Sequence, residues 1–277
     1  MTTDIFDGHP TAWRIWDKGG ARPVLALHCS LAHGGAWAGL VERLSGITVT
    51  APDQPGHGNS ADWDGVTELQ GLSARIAIAM IERAGGGPVD LFGHSFGGTV
   101  ALRLALDRPD LVRSLMLVEP VLFAAAHAAG APEWADYQAA NAGFEALLAE
   151  GRRDEAAAAF HAQWGNGQTL ASLPERQRRY ILDRIHLIAA QAPALVQDAG
   201  NLLAAGRMEA LQVPVLLAEG ERSPPVVGAI QSELARRLPM ARRVSIAGAG
   251  HMLPISHGAA LASEVQAHLD AVCSAVA

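Results

Sequence analysis

Only two cysteines, Cys29 and Cys273, occur in the 277 residues. They are too few and too far apart for a disulfide framework or a four-ligand zinc site, and they fit a reducing compartment. Aromatic residues make up just 5% and charged residues 18%, whereas 49% are hydrophobic; that balance excludes a disordered chain and supplies material for a core. Cations are outnumbered, 21 Lys and Arg against 28 Asp and Glu, and the net charge of -7 comes with no basic run. Such a surface repels a phosphate backbone, which excludes nucleic acid as a partner. No apolar run approaches the roughly 20 residues that span a bilayer. The richest, Val121 to Ala131, is short and broken by His127 and Gly130. The N-terminus lacks the basic start and apolar stretch of a secretory signal. These absences predict a cytoplasmic protein with no membrane contact; the composition sets no oligomeric state.

What is present is alternation. Short β-type runs at Val24 to His28, Ile47 to Ala51, Val89 to Gly93, Leu115 to Glu119, Val213 to Ala218 and Arg243 to Ile246 are separated by helical stretches. The helices are expected at Leu69 to Arg83, Phe96 to Leu106, Val226 to Leu238 and Ala260 to Val272. This pattern predicts an α/β protein with a mainly parallel, doubly wound sheet, and Ala12 to Trp16 reads as an antiparallel edge. The rhythm stops between Phe123 and Gly206, where Ala-rich amphipathic stretches follow one another: Phe144 to Glu150, Asp154 to Trp164, Pro174 to Leu187 and Pro193 to Ala205. The expected organisation is a core of residues 1–122 and 207–277, with residues 123–206 inserted as a helical cap.

The run from Val89 leads into Gly93-His94-Ser95-Phe96-Gly97-Gly98 and then into a helical segment. A serine exposed at a sharp strand-to-helix turn needs glycine two residues to either side, because side chains there would strike the neighbouring strand and helix. The turn also places the hydroxyl at a helix N-terminus, where the dipole favours developing negative charge. Ser95 in this setting is a candidate nucleophile.

Together with Cys29-Ser30-Leu31-Ala-His-Gly-Gly-Ala-Trp37, Asp53-Gln-Pro-Gly-His57-Gly-Asn-Ser60 and Ala247-Gly-Ala-Gly250-His251, this elbow resembles the α/β-hydrolase superfamily, whose landmarks it matches in order from about residue 22 to residue 258. Cys29 and Leu31 depart from the usual Gly and Pro of the first motif, and the Ser30-Leu31 pair faintly resembles the enol-lactonases. The resemblance implies that the backbone N–H groups of Ser30 and Phe96 form an oxyanion hole and that His251 is the general base. It marks Asp53 and His57 as structural. Serine at the elbow sets the chain apart from the epoxide hydrolases and haloalkane dehalogenases of the fold, which carry aspartate there.

The acid departs from the commonest pattern, since Gly220-Glu221-Arg222-Ser223 places a serine where that pattern has aspartate. A serine cannot hold an imidazolium electrostatically. Glu119, after the preceding strand, is the favoured substitute because some members of the superfamily carry their acid there; Glu221 is the rival. The expected activity is hydrolysis of a carboxylic ester, lactone or thioester of a small apolar substrate through an acyl-enzyme, with no cofactor and no metal. Trp37, Phe123, Trp134, Tyr137 and Trp164 are the candidate pocket walls. An acyltransferase, a carbon–carbon bond hydrolase and a noncatalytic ligand-binding protein are the alternatives, the last favoured only by Ser223.

Overall fold

The computed structural model describes residues 1–274, and the side chain of Cys273 lies outside the described residues. Eight strands form one sheet in the order β1-β2-β4-β3-β5-β6-β7-β8. They are β1 (Thr2–Phe6), β2 (His9–Asp17), β3 (Arg22–Leu27), β4 (Ile47–Pro52), β5 (Val89–His94), β6 (Val112–Val118), β7 (Val215–Gly220) and β8 (Ala241–Ile246). From β4 onward along the sheet every pairing is parallel; β1 and β2 add an antiparallel end. The central strands β5 and β7 are buried at every position. That is why their sequences read as continuous apolar runs and not as an alternation: helices cover both faces.

Those two coverings are separate cores. One, around Leu91, Leu115, Leu117 and Val100, packs the helices Leu69–Arg83, Phe96–Asp107 and Pro225–Arg237 on one face. The other, around Phe92, Met116, Leu216 and Trp37, packs the helix Gly258–Ser274 on the opposite face. Burying one such Leu or Phe contributes roughly 1.5–3 kcal/mol, so both faces of the sheet are stabilised by packing.

Ala12 to Trp16 lies within β2, as the pattern predicts, but β2 is not the edge. β1 lies outside it, joined by a tight hairpin through Asp7 and Gly8, both at positive φ (47° and 76°). An Asp-Gly pair is a strong signal for such a turn.

Between β6 and β7 the chain is helical. Its larger pieces are Glu133–Ala149, Arg153–Trp164 and Glu175–Arg184, followed by the short His186–Ala190 and Ala192–Leu195. The first is far longer than the expected Phe144 to Glu150. The expected helix Pro193 to Ala205 stops at Leu195 instead. Asp198 and Asn201 adopt positive φ (50° and 51°), and the Asp198 carboxylate accepts from the amides of Leu202 and Leu203, closing a loop. Asp and Asn compete for backbone hydrogen bonds in this way and end helices.

Candidate active site

Parallel strands deliver their carboxyl ends to one edge of the sheet, and ligands of open α/β sheets bind beyond that edge. Here β3 leads to Ser30, β5 to Ser95, β6 to Glu119, β7 to Ser223 and β8 to His251. Ser95 holds φ 55° and ψ -120°, a strained conformation for a residue with a Cβ. Its amide is tied to Val118 O at 2.9 Å. The glycine requirement is steric, as the spacing predicts: a Cβ on Gly97 would lie 2.2 Å from Leu27 O, and one on Gly93 would lie 2.6 Å from Gly97 O.

Ser95 Oγ lies 3.0 Å from His251 Nε2, and His251 Nδ1 lies 2.6 Å from Glu119 Oε2. All three residues are buried. An ionised carboxylate can only accept. The imidazole proton therefore sits on Nδ1, leaving Nε2 as the acceptor that faces the serine hydroxyl. Glu119 reaches the ring from a left-handed backbone position (φ 45°) just past the end of β6. Its second oxygen, Oε1, accepts from Gly220 N at 2.6 Å and from Ser223 Oγ at 2.5 Å. Burial pushes the Glu119 carboxyl up, but the hydrogen bonds it accepts from His251, Ser223 and Gly220 outweigh it and hold the group below its ordinary range. Ser223, at the position where the commonest family pattern has aspartate, thus clamps the carboxylate that reaches across from the neighbouring strand. Glu221 does not touch the ring; its carboxylate accepts from Gly248 N at 2.8 Å and braces the loop before His251.

The loop after β3 is held from behind by two buried histidines. His57 Nε2 accepts from Leu31 N at 3.1 Å while Nδ1 meets Pro55 O at 2.9 Å. His28 Nε2 accepts from Gln54 N at 2.9 Å while Nδ1 meets Cys29 O at 2.7 Å. Each ring has one accepting and one donating nitrogen, so each is a single neutral tautomer. Burial lowers both, His57 to about 4. Asp53 accepts from Gly34 N and Asn59 N at 2.7 and 2.9 Å, the structural part that the resemblance implies for it. Leu31 adopts φ 58° within this brace. Among the described residues the amides of Ser30 and Phe96 have no protein acceptor. The Cys29 thiol, buried and pushed up to about 12, is an unreactive neighbour.

Above Ser95 lies a cavity of about 380 Å³ whose walls include Phe123, Tyr137, Phe144, Trp164 and Leu195. Phe123 and Tyr137 stack at 3.9 Å between centroids, and the Trp164 ring stands edge-on to His251 at 4.8 Å. Trp37 and Trp134, expected beside these three, do not line it. Trp37 is buried beneath the sheet edge against Phe92 and His94, and Trp134 stacks on His127 at 4.8 Å. A tryptophan's size fits a core as well as a pocket, and composition does not distinguish them. No Lys, Arg, Asp or Glu lines the cavity. Among the described residues no three His, Cys, Asp or Glu side chains gather as metal ligands, and no helix is long and apolar enough to cross a membrane.

The family model for the alpha/beta hydrolase fold matches residues 22–258, and the chain belongs to that family. It is 40% identical over 109 residues to lipase LipV of Mycobacterium tuberculosis, a stretch covering 39% of this chain and 41% of that lipase, less than half its length. Over nearly full length, 92% of this chain and 93% of the relative, it is 23% identical to the (E)-2-((N-methylformamido)methylene)succinate hydrolase of Acinetobacter baylyi. Among solved structures, a loop variant of a haloalkane dehalogenase from Bradyrhizobium elkanii superposes with a TM-score of 0.72 at 21% identity, covering 99% of this chain and 97% of that one, a likeness of fold alone.

Proposed function

We propose that the protein is a serine hydrolase that cleaves a carboxylic ester, lactone or thioester of a small apolar substrate through an acyl-enzyme. The observation that carries this reading is the unbroken hydrogen-bonded relay from Ser95 Oγ through His251 to Glu119, at 3.0 and 2.6 Å. In the proposed reaction Ser95 Oγ bonds to the substrate carbonyl carbon as its proton passes to His251 Nε2. The negative charge gathers on the carbonyl oxygen, where the amides of Ser30 and Phe96 receive it at the N-terminus of the elbow helix. Glu119 stabilises the imidazolium. The alcohol or thiol departs with the proton from His251; a water, deprotonated by the same nitrogen, then releases the acid and restores Ser95.

Residues 123–206 act in this reading as a cap on the core of residues 1–122 and 207–277, with Phe123, Tyr137 and Trp164 forming the apolar roof. Trp164 over His251 keeps bulk water from the relay and strengthens its electrostatics. The noncatalytic alternative drew its support from Ser223, and that support weakens when a carboxylate from the adjacent strand meets His251. The test is hydrolysis of p-nitrophenyl esters of increasing chain length, with and without an added alcohol acceptor, by wild type and Ser95→Ala. Ester turnover lost in Ser95→Ala is expected. Turnover only with the acceptor present would make the protein an acyltransferase. Inertness toward every ester, together with no labelling of Ser95 by a fluorophosphonate, would overturn the proposal.

A further inference from the structure

Several polar groups in the pocket wall, Asn141, Gln163 and Gln191 among them, have no part in the relay, and Gln191 is the one left with an unmet buried atom. Gln191, between the helices His186–Ala190 and Ala192–Leu195, is 2% exposed and lines the cavity with Ser30 and Ser95. Its Oε1 accepts from the Ser30 hydroxyl at 2.7 Å. With that bond the amide turns its Nε2 away from the Ser30 hydroxyl. Nε2 is then left buried with no partner. His9, Trp37, Gln54, Gln70, Gln231 and other residues also carry a buried polar atom without a partner, but only Gln191 among them lines this cavity. A buried N–H without an acceptor is unfavourable, and because Gln191 lines the cavity, a small shift of its side chain lets a ligand atom relieve it.

Position and charge narrow what that atom is. Gln191 touches the residue whose amide is assigned to the oxyanion, so the acceptor lies a few bonds from the scissile carbonyl. A carboxylate there would find no cation, since neither Lys nor Arg lines the cavity. We infer that Gln191 Nε2 is a specificity-determining donor that selects esters carrying a neutral acceptor oxygen, such as an ether or ketone, beside the scissile carbonyl over their hydrocarbon isosteres. The inference rests on the ester-hydrolase reading above.

Two matched pairs test it: p-nitrophenyl methoxyacetate against p-nitrophenyl butyrate for the acyl side, and 2-methoxyethyl butyrate against butyl butyrate for the alcohol side. The preference within each pair, as a ratio of kcat/KM, is compared between wild type and Gln191→Leu, so intrinsic reactivity cancels. Gln191→Met repeats the comparison with a side chain of nearly the same length should the leucine variant fail to fold. The preference for the oxygen-bearing ester is expected to fall about tenfold or more in one pair, which also identifies the side. Preferences unchanged within twofold in both pairs overturn the inference, as does an equal loss on all four esters, which would make Gln191 only a prop for Ser30. Dissociation constants of the same esters for Ser95→Ala and Ser95→Ala with Gln191→Leu require no turnover. A preference that falls there sustains the inference even if the wild type proves inert, and one that does not fall overturns it independently of the hydrolase reading.

Discussion

In the helix after Ser95, the stretch from Phe96 to Leu102 is buried without interruption, whereas the Glu133–Ala149 helix over the cavity buries only Tyr137 and Phe144. The contrast continues in the polar groups. On the core side, Glu119, His251, His28 and His57 meet defined partners at 2.5–3.1 Å. Over the cavity the helices between β6 and β7 present mostly carbon, and Gln191 keeps an unmet donor. Reacting groups need positions held to a fraction of an ångström, which only packed strands and braced loops provide. A wall needs volume and polarity, and Ala-rich helices on short connections can change both without disturbing the sheet.

The contrast would break most visibly in catalysis. Ser95→Ala should lower kcat by about 10⁴-fold or more, and Glu119→Gln by about 10³- to 10⁴-fold. Glu221→Gln should stay within about threefold, since it removes a brace on an exposed loop and no charge from the ring. Trp164→Ala, in the insertion, should act mainly on KM and chain-length preference, within about tenfold in kcat. A Trp164→Ala loss as deep as that of Glu119→Gln, in steady-state kinetics at one pH, would erase the division between chemistry and wall.

Stability offers the next test. Gly97→Ala forces a Cβ to 2.2 Å from a backbone oxygen of β3 and should destabilise the fold by about 3 kcal/mol or more, read from urea unfolding. In the insertion, a Cβ on Gly143 meets nothing within 4 Å. Gly143→Ala should add about 0.5–1 kcal/mol through helix propensity, while narrowing the cavity enough to shift preference toward shorter acyl chains.

Acid should act on the core between these extremes. His57 and His94 are lowered by burial to about 4 and about 3, so the folded state keeps them neutral while the unfolded chain protonates near 6.5. Their contribution is therefore full above that value and lost as pH falls toward the folded pKa, at about 1.4 kcal/mol per pH unit for each group. Urea unfolding between pH 7 and pH 5 should show this slope. His57→Gln should be less stable at pH 7 and lose about one proton's worth of the slope; an unchanged slope would mean that His57 is not held neutral.

Much of this was legible along the chain. The strands β3 to β7 announced themselves as short apolar runs, and the elbow as two glycines around a serine, because both are set by local sterics and by burial; β8, in which only Ile246 is buried, was read from a shorter β-type run. The Asp7-Gly8 hairpin was also written locally, and β1 went unread although its turn was visible. Elsewhere the local signal misled. Pro193 to Ala205 has helical composition, yet the Asp198 side chain takes the amides of Leu202 and Leu203 and stops it. Five aromatics looked alike as pocket walls, and the fold sends Trp37 into the core and Trp134 onto His127.

The sequence by itself determined the strand–helix rhythm, the glycine-flanked serine, the histidine after the last strand and the apolar, weakly charged character of the chain. Each follows from residues within a few positions of one another. Only the tertiary structure decided which carboxylate meets His251. Glu119 and Glu221 are comparable on paper, separated from the histidine by 132 and 30 positions. The outcome rests on the order of β6, β7 and β8 in the sheet and on Ser223 and Gly220 turning their donors toward one oxygen. The same holds for Gln191, which is one more glutamine in a helical stretch until the insertion folds back and sets it against Ser30. Local sterics act between neighbours in sequence, whereas a site is an arrangement of neighbours in space, and the long-range pairing of strands creates those neighbours.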